Sequence, residues 1–256
     1  MFIDTHVHLN AEQYNDDLQE VIDRALAANV KKMVVVGFDK ATINRAMELI
    51  EEYDFLYAAI GWHPVDAIDC TESDLQWIEM LAAHPKVVAI GETGLDYYWD
   101  KSPKEIQQEL LRKQIQLAKR VKLPIVIHNR EATADCVRIL KEEHAEDVGG
   151  VMHCFSGSVE TAEICTKMNF MISLGGPVTF KNAKKPKEVA EKIPLQYLMI
   201  ETDAPYLAPH PNRGKRNEPS FVPLVAEEIA RLKGLTVEEV AQKTTENAQR
   251  FFKIKA

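Results

Sequence analysis

The chain of 256 residues is 46% hydrophobic and 27% charged and has no low-complexity tract, which allows one large core and excludes a disordered or fibrous protein. Its formal charge of -8 excludes a protein that grips long nucleic acid through a broad basic face, but not one that meets a phosphate where bound cations reverse the local field. Cys70, Cys136, Cys154 and Cys165 form no CxxC pair, so neither a disulfide framework nor a zinc ribbon is expected.

The first stretch, Met1 to Asn10, carries Phe2, Ile3 and Val7 as a buried strand would, with His6 and His8 two positions apart. In an extended backbone that spacing turns both imidazoles to one side, half of a metal site. The opening residues lack a basic segment followed by an apolar one, and no apolar run reaches the ~18 residues of a membrane span. A soluble, cytoplasmic protein is therefore expected.

From Asp16 to Val30 the residues Leu18, Val21, Ile22, Ala25 and Leu26 mark one face of a helix, and Met33 to Gly37 is a β-branched run suited to a strand buried on both faces. The alternation repeats. A helix over Thr42 to Tyr53 precedes a strand over Leu56 to Trp62, and a helix over Thr71 to Ala83 precedes a strand over Val87 to Gly91. Ser102-Pro-Lys-Glu105 reads as a capping box with proline at the first helical position, opening a helix that runs to Val121.

Strand five is Pro124 to Ile127, strand six Gly150 to His153, strand seven Phe170 to Leu174 and strand eight Tyr197 to Ile200. The intervening helices are expected near 132–143, 159–168 and 186–192, and two more, over Val222 to Lys233 and Val237 to Phe252, close the chain. Eight short buried strands alternating with helices predict a parallel (β/α)8 barrel of the α/β class, with residues 1–256 forming one domain.

A barrel of this kind places its chemistry at the C-terminal strand ends. His6 and His8 fall at the end of strand one, Glu92 after strand four, His128 after strand five, His153 after strand six and Asp203 after strand eight. Any one of these alone reads more readily as a cap or a solvated loop residue than as a ligand; together they converge on one mouth. Imidazole with carboxylate and no thiolate favours a catalytic divalent ion with open positions. Six ligands exceed one tetrahedral centre, whereas two ions bridged by a carboxylate would use them all and activate water for displacement at phosphorus or at a carbonyl. His84 and His144 read as solvated, and His210, in a proline-rich loop, as undecided.

Asp4-Thr-His-Val-His-Leu9, Gly61-Trp-His-Pro64, Gly91-Glu-Thr-Gly-Leu-Asp96, Pro124-x-x-x-His128, His153-Cys-Phe-Ser-Gly157 and Glu201-Thr-Asp-Ala-Pro-Tyr-Leu207 resemble, in order and spacing, the motifs of the TatD-type metal-dependent deoxyribonucleases. The resemblance spans the chain, including Arg213 to Pro219 and Asn247-x-x-Arg-Phe251. It implies an amidohydrolase-like barrel with two divalent ions (Mg²⁺, Mn²⁺ or Zn²⁺) and hydrolysis of DNA phosphodiesters from a single-stranded 3′ end. Carried over, His6 and His8 bind the first ion, Glu92 bridges, His128 and His153 bind the second, and Asp203 completes the first ion's set. A metal-held water attacking phosphorus is then expected to give its proton to Asp203.

His63, Arg130 and Arg213 are candidate substrate contacts. Lys215 and Arg216 read equally as a solvated basic loop, and Tyr97, Tyr98 and Trp99 as a stacking platform or a hydrophobic lid. The rival readings are a barrel of the same kind acting on a small ester or amide, or on an aminoacyl-tRNA ester, and a binding barrel without catalysis. Gly91-x-x-Gly94 is neither a P-loop nor a dinucleotide fingerprint, so no nucleotide cofactor is expected, and a monomer is.

Overall fold

A computed structural model of the chain describes residues 1–255. Its strands are β1 (Phe2–Val7), β2 (Val30–Gly37), β3 (Leu56–Ile60), β4 (Val87–Asp96), β5 (Ile125–Arg130), β6 (Gly150–Met152), β7 (Phe170–Leu174) and β8 (Leu198–Ile200). The α-helices are α1 (Leu18–Ala27), α2 (Lys40–Glu52), α3 (Glu72–Leu81), α4 (Lys104–Val121), α5 (Thr133–Glu142), α6 (Val159–Lys167), α7 (Lys184–Lys192), α8 (Val222–Lys233) and α9 (Val237–Phe252). The eight strands pair in parallel in chain order, β1 to β8, which makes the fold a (β/α)8 barrel.

Closure between the last strand and the first runs through the residues around the site. Thr5 Oγ1 donates to the Ile200 carbonyl at 2.9 Å, the Asp203 N–H donates to the His6 carbonyl at 2.9 Å, and the His8 N–H donates to the Ala204 carbonyl at 2.8 Å. The Asp4 carboxylate, fully buried, accepts from the Thr202 N–H at 3.0 Å. Burial pushes the Asp4 carboxyl up to about 8, against the lowering effect of its bonds to Thr202 and His6.

Two apolar layers follow from the period of two along each strand. Met33 and Val35 face the helices, while Val34 and Val36 join a separate inner cluster to which every strand contributes: Ile3, Ala59, Val88, Val126, Val151, Met171 and Met199. Phe252 and Ile254, at the end of α9, pack into the same cluster and plug it. Burying Phe252 contributes about 1.5–3 kcal/mol.

Two positions beyond the inner-cluster residues Val126, Val151, Met171 and Met199 stand His128, His153, Ser173 and Glu201. The same period therefore aims these four polar side chains inward, above the apolar filling. The site has an apolar floor.

The helices and strands occur where the periodicity predicts them, with three differences that bear on the site. β5 runs past Ile127 to Arg130, so His128 lies within the strand. β4 does not stop at Gly91 but continues to Asp96, beside β5. Glycine permits it: Gly94 has φ +141°, and a Cβ there would collide with the His128 carbonyl oxygen. The expected capping box at Ser102 is absent, because Pro103 occupies the N-cap and the Ser102 hydroxyl donates instead to the Val65 carbonyl at 2.7 Å, tying down the segment after β3. The boxes of α2 (Asp39 with Thr42), α3 (Thr71 with Asp74) and α9 (Thr236 with Glu239) do form. Among the described residues, no helix is long and apolar enough to cross a membrane.

Candidate metal centre

Glu92 lies inside β4, 4% exposed, and its two carboxylate oxygens face two different groups of imidazoles. Oε2 stands 3.4 Å from His6 Nε2 and 3.9 Å from His8 Nε2. Oε1 stands 3.0 Å from His128 Nδ1, 2.9 Å from His153 Nε2 and 3.6 Å from His63 Nε2. Asp203 joins the first group, its Oδ1 3.2 Å from His8 Nε2 and 3.6 Å from His6 Nε2. The structure thus gathers His6, His8, Glu92, His128, His153 and Asp203 into one cluster.

The outer edges of the imidazoles decide which nitrogen faces inward. His8 Nδ1–H donates to the Val36 carbonyl at 3.1 Å, and a carbonyl only accepts, so Nε2 presents its lone pair to the cluster. His128 Nε2–H donates to Asp96 Oδ2 at 2.8 Å, which leaves Nδ1 as the inward atom. His153 Nδ1–H donates to Glu201 Oε1 at 3.2 Å and again turns a lone pair inward at Nε2.

The inward nitrogens of the four rings then crowd together. His6 Nε2 and His8 Nε2 are 3.3 Å apart, and His153 Nε2 and His128 Nδ1 are 3.4 Å apart, with the Glu92 carboxylate between the two pairs. Such an array of buried acceptors calls for positive charge among them, and its imidazole-carboxylate composition suits divalent ions. Three trios offer ligating atoms within 4.8 Å of one another: His6, His8 and Asp203; His6, His153 and Glu201; and His63, Glu92 and His128.

The same demand for positive charge shows in proton affinities. Burial opposes a charged His153, yet Glu92 and Glu201 hold its pKa well above the ordinary histidine range. Burial likewise works against His8 and His128, whose pKa values are nevertheless raised by Asp203, and by Asp96 and Glu92, respectively. His6 goes down, because burial and the neighbouring His153 both disfavour its charged form. Burial raises the Glu92 carboxyl, but His153, His128 and His6 hold it well below the usual carboxylate range. Asp203 is also lowered, its burial outweighed by His8, His6 and His153.

His63 stands differently. Its Nδ1 accepts the Val65 N–H at 3.2 Å, so the neutral ring carries its proton on Nε2, the atom turned toward Glu92. That makes His63 a hydrogen-bond donor into the site rather than a ligand. Together with His128 and Asp203, whose side chains are 18% and 13% exposed, it lines the open side of the cluster at 17% exposure, while His6 and Glu92 lie beneath.

Arg130, at the end of β5, stacks its guanidinium 3.7 Å from the Tyr98 ring centroid, and Arg213 sits 3.7 Å from that of Phe180. Tyr98 and Trp99 are exposed, whereas the Tyr97 hydroxyl donates to Asp135 at 2.8 Å and packs as part of the scaffold. Arg216 pairs with Asp17 through two contacts of 2.8 and 2.6 Å and so ties the loop after β8 to the segment before α1. His84 pairs with Glu51, His144 is exposed beside Glu146, and the His210 backbone binds Thr179.

Sequence reasoning missed Asp96 and Glu201, the carboxylates behind His128 and His153. For Glu201 the signal was available, since it lies two residues past Met199 on the inward face of β8's extension. It also missed the glutamines of α4. Gln107 accepts the Asp96 N–H at 2.8 Å and donates to the Asp96 carbonyl at 2.9 Å, and seven residues on Gln114 does the same for Trp62 at 2.8 and 2.9 Å. Spaced by two helical turns, they look like polar surface in sequence and are instead buried clamps on β4 and the segment after β3.

The family model described as "TatD related DNase" matches residues 3–253. An uncharacterized metal-dependent hydrolase of Bacillus subtilis, YabD, is 70% identical over 99% of this chain and 100% of its own length. Escherichia coli YcfH, likewise described as an uncharacterized metal-dependent hydrolase, is 42% identical over 99% of this chain and 96% of its own. The crystal structure of the Escherichia coli TatD homologue YjjV superposes with a TM-score of 0.94 at 34% identity, covering 99% of this chain and 98% of that one. The barrel, the imidazole-carboxylate cluster and these similarities make one conclusion: the chain belongs to the TatD-related DNase family of metal-dependent hydrolases.

Proposed function

We propose that the protein is a deoxyribonuclease that removes nucleotides from the 3′ end of single-stranded DNA, using two divalent ions held by His6, His8 and Asp203 on one side and His128 and His153 on the other, with Glu92 between them. The observation that carries this reading is the division of labour within Glu92, one oxygen toward each group of imidazoles. Bound there, divalent ions lower the pKa of a coordinated water from about 15.7 to about 7 and neutralise charge on a phosphate.

The chain's own groups supply the rest. Asp203, ionised at neutral pH and 13% exposed on the open side, accepts the proton of the water that attacks phosphorus in line. The bond from phosphorus to the leaving 3′ oxygen breaks, and that oxygen takes a proton from solvent. His63 donates from Nε2 to a phosphate oxygen, and Arg130 and Arg213, each already flat against an aromatic ring, offer guanidinium forks for the flanking phosphates. Exposed Tyr98 and Trp99 give bases a face to stack on.

The test is purified protein with Mg²⁺, Mn²⁺ or Zn²⁺ on 3′-labelled single-stranded DNA, beside a chelated control and a panel of small esters and aminoacyl-tRNA. Metal-dependent shortening from the labelled end, abolished in Glu92→Ala and Asp203→Ala with the fold intact, is expected. Ester cleavage without DNA cleavage would move the reading to the ester hydrolases of the same barrel.

A further inference from the structure

Glu201 is fully buried and stands behind the cluster rather than in it. Its Oε1 accepts two bonds, from the Cys154 N–H at 2.9 Å and from His153 Nδ1–H at 3.2 Å. Its Oε2 is one of five buried side-chain polar atoms without a hydrogen-bond partner among the described residues, and His6 Nδ1 is another. These two belong to residues of one trio, since His6, His153 and Glu201 each place a ligating atom within 4.8 Å of the other two. The His6 and His153 rings are stacked, with centroids 3.9 Å apart and planes 11° from parallel.

We propose that Glu201 is a positioning residue shared by the two ion sites: Oε1 holds His153, and Oε2 holds His6 through one water. A neutral imidazole has a single ring proton. To ligate through Nε2 it must carry that proton on Nδ1, and a buried N–H needs an acceptor. His8 has the Val36 carbonyl, His153 has Glu201 Oε1, and His128, which turns the other nitrogen inward, has Asp96. His6, 1% exposed, cannot draw on bulk solvent, and Glu201 Oε2 is the unpaired acceptor within its trio. One carboxylate thus sets the tautomer of one histidine from each ion's set.

This inference rests on the two-ion reading, and the Glu201→Gln variant separates them. The Cys154 and His153 N–H groups both need an acceptor, so the amide oxygen of the glutamine stays at the Oε1 position and its NH2 replaces Oε2, facing His6. His6 Nδ1 then accepts, and the ring proton moves to Nε2, the atom 3.4 Å from Glu92 Oε2.

The expected result, by calorimetric titration of metal-free protein with Mn²⁺, is two ions per wild-type chain. In Glu201→Gln, affinity at the His6 and His8 site falls by about tenfold or more, while the site of His128 and His153 is retained. Nitrogen NMR of ¹⁵N-histidine protein reads the same change directly, with His6 protonated at Nδ1 in the wild type and at Nε2 in the variant. Two ions bound with unchanged affinity in Glu201→Gln, or a wild-type His6 protonated at Nε2, would overturn the role of Glu201. A wild type that binds fewer than two ions would overturn the two-ion reading instead, and the His6 tautomer would still decide the contact with Glu201.

Discussion

The Tyr14 hydroxyl donates to the Asn217 carbonyl at 2.5 Å, joining the loop after β1 to the loop after β8 across 203 positions of sequence. Asn217 in turn donates from Nδ2 to the carbonyls of Thr202, at 2.8 Å, and Tyr206, at 2.6 Å, which bracket Asp203. Replacing Asn217 by alanine leaves two carbonyls unpaired and should cost about 2–4 kcal/mol, with loss of turnover because Asp203 is no longer held. Tyr14→Phe should cost about 1–2 kcal/mol and retain most activity. Chemical denaturation beside an activity assay measures both, and an Asn217→Ala protein of native stability and activity would contradict the latch.

Asp96 grips His128, and Gln107 grips Asp96. In Asp96→Asn the charge behind His128 is lost, so metal affinity on that side should fall by about 10–100-fold. Gln107→Ala should produce a smaller loss of the same kind by freeing the end of β4. Competition titration against a metal-chelating dye, beside chemical denaturation, separates this from a general loss of stability.

His63→Ala should leave the number of bound ions unchanged, since the Val65 N–H occupies Nδ1 and Nε2 carries a proton. The turnover rate should fall by about 10–100-fold through loss of a donor to the substrate's oxygen. Loss of an ion on metal analysis of this variant would show His63 to be a ligand instead.

Removing metal should destabilise the fold, because ions held by the native array of imidazoles and carboxylates have no such array in the unfolded chain. At a free ion concentration of about 100 times the dissociation constant the linkage is worth about 2.7 kcal/mol per ion. For a chain of this size each kcal/mol moves the melting temperature by about 2–4 °C. A calorimetric scan with and without chelator that showed no difference would argue against a loaded site.

Acid should weaken the loop after β8 through Glu218. Burial raises its carboxyl, but Arg24, at 3.0 Å from Oε1 and 2.8 Å from Oε2, and Ser220 hold the pKa below the ordinary glutamate value. With the folded pKa depressed, the contribution is complete above the unfolded value and disappears as pH falls through the folded one. Melting temperatures measured between about pH 3 and 7 should therefore decline less steeply at the acid end in Glu218→Gln than in the wild type. Parallel profiles would remove Glu218 from the account.

The barrel was legible because its strands are β-branched runs punctuated by amphipathic helices, and a local pattern of that strength survives packing. The convergence of His6, His8, Glu92, His128, His153 and Asp203 was legible once the strand ends were placed, since a barrel brings those ends together. What lay hidden depends on contacts between distant segments. β4 runs on to Asp96 because Gly91 and Gly94, both at positive φ, let it lie against the β5 backbone, so Gly91, a glycine that reads as a stop, is a point of close approach. Gln107 and Gln114 give no sign in the helical pattern that their amides turn inward. Ser102 heads a good capping sequence, but its hydroxyl has a better use at Val65.

The inner apolar filling, plugged by Phe252 and Ile254, has a consequence for traffic. With the far end of the barrel sealed, there is no thoroughfare: whatever reaches Glu92 comes in by the rim where His63 and Asp203 stand, and whatever is released leaves by it. A polymer cannot be threaded through such a dead end. Substrate and product of each cycle must therefore share that one rim, the product leaving before the next substrate can settle.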